Sequence, residues 1–136
     1  MDSIITQINQ ILTENGAENV FSVFDAKPVS GKGQFFTVTG VRDLEWSTPI
    51  YTNAVICLPF KAVAEIRTTA PINCDGMTLC DYFHRKIESG IDKMNGMDSR
   101  VQKMALTTDK TLNRLVLAAE VSISGIREIT REEQNV

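Results

Sequence analysis

From Leu112 to Gly125 the chain alternates with a two-residue period. Leu115, Leu117, Ala119, Val121 and Ile123 project to one side. Val116, Ala118, Glu120, Ser122 and Ser124 project to the other, the pattern of a strand with one face buried more deeply. Such a strand is stable only within a sheet, and its apolar face only beneath another layer. The rest of the chain must therefore supply both partner strands and a covering layer.

Two segments supply helices. Ile4, Ile5, Ile8, Ile11 and Leu12 recur at helical spacing, with Ser3 as the cap and Asn15-Gly16 as a left-handed stop, which predicts a helix over 4–14. Leu79, Tyr82, Phe83, Ile87, Ile91 and Met94 repeat at three- and four-residue steps. That predicts a second helix over 76–94, with Asp75 at its N-cap, Gly90 weakening its last turns and Asn95-Gly96 ending it.

Between the helices the period is that of strands. Val20–Phe24 is a short run closed by the turn signature Asp25-Ala26-Lys27-Pro28, and Gly31-Lys32-Gly33 reads as a hairpin tip. Strands follow over Phe35–Val41 and Tyr51–Leu58, with Ser47-Thr48-Pro49 as the turn between them. Pro59 cannot donate to a central ladder and marks an edge, bulge or turn. Lys61–Thr69 continues extended. After the second helix, Val101–Thr107 is a modest strand, 108–111 a polar turn, and 127–136 a polar tail that frays. The order α-β-β-β-β-α-β-β describes one α+β domain, two helices packed on one face of a mostly antiparallel sheet.

Composition narrows the function classes. The chain has 136 residues, 43% of them apolar, and a formal charge of −3. That is long enough to bury roughly two-thirds of the unfolded surface around a single core, and too apolar for disorder. A pI near 5.1 without a basic run disfavours nucleic-acid binding by counterion release. No apolar stretch approaches the roughly 20 residues that span a bilayer. The start Met1-Asp2-Ser3 lacks the positive region of a secretory signal. Cys57, Cys74 and Cys80, odd in number and without a CxxC pair, fit a reducing cytosol better than a disulfide framework.

Catalytic and metal-binding patterns are weak. His84 is the single histidine, and Cys80 stands four residues before it, on the same helix face. Both groups on one helix leave no orienting third residue and no oxyanion hole. Cys74, Cys80 and His84, with Asp75 or Asp81, are spaced too loosely for structural zinc. Gly31-Lys32-Gly33 lacks the spacing of a phosphate loop and is followed by a strand. The carboxylates scatter over solvated faces, with no pair in an apolar setting. No catalytic residue, metal or cofactor is expected. Phe35, Trp46, Tyr51 and Phe60 are the candidate subunit-interface residues, because Trp and other aromatics bury large areas at low entropic cost.

The layout resembles that of the tail terminator and tail completion proteins of long-tailed bacteriophages and prophages. The matching features are the opening helix Ile4–Glu14, the aromatic turn Phe24-Asp25-Ala26-Lys27-Pro28 and the strands ending at Ala70-Pro71. The helix containing Leu79-Cys80-Asp81-Tyr82-Phe83 and the last strand Leu115–Ser124 complete it. The resemblance implies a non-enzymatic homo-oligomer, a ring and usually a hexamer, at the head–tail junction. Its partner would be a tail-tube or connector protein, with DNA passing through without sequence-specific contact and no membrane involved. The protein would be cytoplasmic during assembly and then in the virion tail. A heterologous ring needs complementary patches on opposite sides of one protomer, and the loops Asp25–Gln34 and Arg42–Pro49 are candidate carriers. The lightly charged first helix and the cysteines are not features the family requires. The alternative is a small cytosolic α+β binding or adaptor domain, monomeric or dimeric.

Overall fold

A computed structural model of the chain describes residues 2–22, 35–94, 97–111 and 113–130. Helix α1 (Asp2–Glu14) is followed by strands β1 (Val20–Ser22), β2 (Phe36–Trp46), β3 (Ile50–Tyr51) and β4 (Val55–Pro71). Next come α2 (Gly76–Tyr82), a π-helical stretch (Phe83–Glu88) and α3 (Ser89–Ile91), which run on without a break. Strands β5 (Met97–Asp109) and β6 (Arg114–Thr130) close the chain. The order across the sheet is β1-β2-β4-β6-β5, with β3 also pairing β4. Every pairing is antiparallel except β1 with β2. The α+β architecture expected from the pattern is the one observed.

The core lies between the helices and one face of the sheet. Ile4, Ile8 and Leu12 of α1, and Leu79, Phe83, Ile87 and Ile91 of the second helical segment, are all buried. They meet the even-numbered side of β4 and the odd-numbered side of β6, where Ala62, Ala64 and Ala119 are small enough to let bulky helical side chains seat. The alternation read from Leu117 to Ile123 is the buried face of β6. Beneath α1 the strip is polar: Thr37 and Thr68 share a hydroxyl hydrogen bond of 3.1 Å, and Thr39 donates to Asn9 Oδ1 at 2.5 Å.

Several expectations are corrected. β1 and β2 run parallel, which excludes a hairpin between them; the Asp25–Pro28 turn and the Gly31–Gly33 tip lie outside the described residues. Pro59 sits inside the central strand. Its carbonyl accepts from Ser47 N at 2.9 Å, so its nitrogen faces the break between β2 and β3, where no ladder donor is needed. Tyr51–Leu58 is divided by a turn in which Val55 N donates to Thr52 Oγ1 at 3.0 Å. Residues 42–46, expected in a loop, belong to β2, and 127–130, expected to fray, pair with 55–58 of β4. Ser3 lies inside α1, which begins at Asp2.

The second helix departs from α geometry at Phe83–Glu88. There Asn15 Nδ2 donates to Arg85 O (3.2 Å), Lys86 O (3.0 Å) and Ser89 Oγ (2.8 Å), fastening the end of α1 to the π turn. A Cβ on Gly90 would stand 3.3 Å from both Asn15 and Leu12, so this glycine marks where α1 crosses closely. Asp75 caps α2 as expected, accepting from Met77 N at 3.3 Å.

Candidate subunit interface

Among the described residues both helical layers lie on one side, so the other face of the sheet and its two outer edges have no covering element. On the β5 side, none of the 13 residues of Met97–Asp109 is buried. On the β2 side, β1 covers only Thr37–Thr39, and no described strand pairs the outer edge of Gly40–Trp46. Among the described residues β6 also has no outer neighbour past Gly125, since β5 begins at Met97 opposite that residue.

Among the described residues, six of the eight exposed large apolar side chains stand at these edges; Ile72, in the turn after β4, and Met77, in α2, do not. Trp46, Ile50 and Tyr51 stand on the β2–β3 side at 47%, 55% and 65% exposure. Ile126, Met104 and Leu106 stand on the β6–β5 side at 56%, 54% and 45%. Leu106 approaches the start of α2, 3.1 Å from where a Gly76 Cβ would lie, next to the exposed Met77. Two unlike apolar borders on opposite edges suit head-to-tail contact between copies rather than a two-fold dimer.

The four aromatics singled out from the sequence divide. Trp46 and Tyr51 are exposed at the β2–β3 edge. Phe60 is buried in the core, where its ring supports Trp46 from beneath with centroids 5.6 Å apart. Phe35 is half-buried and stacks on Tyr82, centroids 4.3 Å apart and planes 8° from parallel. Tyr82 OH accepts from Glu18 N at 2.8 Å, and burial raises its pKa above the ordinary 10.0. Ile50, Met104 and Ile126 were missed in the sequence, because an exposed apolar residue on a strand has the same local pattern as a buried one.

The helix-free face carries charge. Glu65 and Glu120 stand directly opposite each other on β4 and β6, with Lys103 next in the row on β5. Like charges so placed repel. Arg67 answers one carboxylate with an ion pair of 2.5 Å to Glu65, and Arg42, from the bulge in β2, pairs with Glu120. Beside this row is a depression of about 450 Å³ floored by Phe36, Val38 and Val116. Arg114 lies over the Phe36 ring at 4.5 Å and donates to Thr69 Oγ1 at 3.2 Å, and partial burial lowers its pKa.

Among the described residues no hydrogen bond joins Cys80 to His84. His84 is 73% exposed within the π turn, and Glu88 is its neighbour, with Nδ1 to carboxylate 3.8 Å. Cys57, Cys74 and Cys80 are half-buried free thiols. Among the described residues no group of three or more His, Cys, Asp and Glu could hold a metal ion, and no helix is long and apolar enough to cross a membrane. No protein-family model matches the sequence, and no curated protein matches it.

Proposed function

We propose that the protein is a non-catalytic structural subunit that assembles head-to-tail into a ring, in the manner of the phage tail terminator and completion proteins its layout resembles. One observation carries this reading: most of the exposed large apolar side chains, six of eight among the described residues, lie on two opposite, unlike sheet edges. Each edge has apolar residues that one protomer leaves in water, and burying them releases about 25 cal/mol per Å². Contact of one edge with the other leaves both edges of the new pair free, so growth continues until the rotation closes. In this reading the ring joins a tail tube or connector, DNA passes without base-specific contact, and the acidic protomer favours passage over adhesion.

The test is solution mass by light scattering across a concentration series, with negative-stain images of the heaviest species. Rings of several 15.1 kDa protomers are the expected result. A strict 15.1 kDa monomer, or a dimer that grows no further, would overturn the ring and support the small adaptor domain instead.

A further inference from the structure

From the two edges left unpaired among the described residues we infer that β5 of one copy pairs antiparallel with the Gly40–Trp46 stretch of β2 in the next, in one register set by charge. This rests on the head-to-tail reading above. β2 runs antiparallel to β4, β4 to β6 and β6 to β5, so β5 is antiparallel to β2. A copy placed beside β5 with its helices on the same side therefore presents its β2 in the antiparallel sense.

On the helix-free face, the β2 stretch offers Asp43 and Glu45, and β5 offers Arg100 and Lys103. All four are exposed, and among the described residues none forms an ion pair within the protomer. Setting Asp43 opposite Lys103 also sets Glu45 opposite Arg100, one acid to one base at each step. On the helix face the same register places Val41 against Met104, Leu44 against Val101 and Trp46 against Ser99.

Irregularities in the two strands agree with this choice. β2 carries one extra residue between Val41 and Asp43, and β5 one between Val101 and Lys103. Such bulges ordinarily discourage edge pairing. Here the extra residues, Arg42 and Gln102, fall one ladder step apart, so the two strands regain register on both sides. β1 limits the pairing, because it occupies the β2 edge from Thr39 back to Thr37.

The register also accounts for Ile50 and Ile126. Trp46 comes level with Ser99, which pairs with Ile123 of β6. Ile50 lies three β4 steps beyond Trp46, opposite Cys57 where Trp46 is opposite Phe60, and so reaches the level of Ile126. There β6 has no described neighbour on its outer side, and both isoleucines project from the helix-free face. Within one protomer Val41 is level with Val101, so the junction is staggered by two steps, roughly 7 Å at 3.3 Å per residue. A stagger of this kind is what closing a sheet on itself requires.

The test is charge reversal. Arg100→Glu with Lys103→Glu makes both edges acidic, and Asp43→Lys with Glu45→Lys makes both basic. Each double variant is expected to remain at 15.1 kDa under conditions where the parent protein assembles. Mixing the two, or combining all four changes in one chain, is expected to restore assembly, because every junction again joins acid to base. Far-UV circular dichroism and the thermal midpoint check that each variant is folded. Amide exchange of the assembled parent protein provides a second readout, with protection expected at 40–46 and 99–105. If the parent protein never assembles, the head-to-tail reading fails and this register with it. If the parent protein assembles and both double variants do so equally well, or if the mixture restores nothing, the register alone is overturned.

Discussion

Replacing Asn15 by alanine isolates the joint between α1 and the π turn. Its side-chain nitrogen lies within 3.2 Å of Arg85 O, Lys86 O and Ser89 Oγ, but a primary amide has only two hydrogens. Counting two full bonds at about 1 kcal/mol each gives a loss of about 2 kcal/mol. Lys93 Nζ, 2.6 Å from Asn15 Oδ1, is exposed and adds little. Unfolding entropy near 2.1 cal/mol/K per residue, over 136 residues, converts this to a fall in Tm of roughly 7 °C. Scanning calorimetry at one fixed protein concentration is the assay, because assembly itself shifts Tm. Asn15→Asp keeps the shape but turns carboxylate oxygens toward two carbonyls, and is expected to lower Tm at least as far. A change below about 2 °C for Asn15→Ala, or stabilisation by Asn15→Asp, would refute the joint.

Gly125→Ala places a Cβ 2.9 Å from Met97 Cγ and 3.1 Å from the Phe60 ring, and is expected to cost about 1–3 kcal/mol by urea denaturation. Ile87→Ala empties a fully buried site between helix and sheet and is expected to cost about 2–5 kcal/mol in the same assay. Tyr82 has a folded pKa raised above 10.0, chiefly by burial, so the folded state holds its proton longer than the unfolded chain. Its contribution to stability is full below pH 10.0 and is lost as pH rises through the folded value. Absorbance titration at alkaline pH should therefore show Tyr82 ionising later in the folded protein than in the unfolded chain, and Tyr82→Phe should lessen the alkaline loss of stability.

Much of the architecture is legible in the sequence because local and tertiary demands coincide. The 4–14 periodicity gives α1, Asn15-Gly16 ends it with Gly16 at φ 94°, and Asp75 caps α2 with its own carboxylate. The alternation from Leu115 to Ser124 gives the buried face of β6. The departures arise where distant residues decide. Pro59 is tolerated in β4 because its nitrogen faces the break between β2 and β3, where no ladder donor is needed. The π turn is held by Asn15, some seventy positions earlier. Residues 127–130 extend β6 because β4 begins at Val55 and offers them partners. At the candidate interface, Trp46 and Tyr51 were recognisable by residue type. The edge positions of Ile50, Met104 and Ile126 depend on strand order, which local periodicity does not encode.

The central claim is that the two edges are unlike and meet only each other. Ile50→Asp with Tyr51→Asp disables the β2–β3 edge at residues at least 55% exposed, and Met104→Asp with Ile126→Asp disables the β6–β5 edge at residues at least 54% exposed. Each variant keeps one working edge. The decisive measurement is sedimentation velocity of each variant alone and of their equimolar mixture, at a concentration where the parent protein assembles. The account predicts 15.1 kDa for each variant alone, and for the mixture a species of twice that mass that grows no further. Full-size assemblies from either variant alone, or a mixture that remains monomeric, would contradict it.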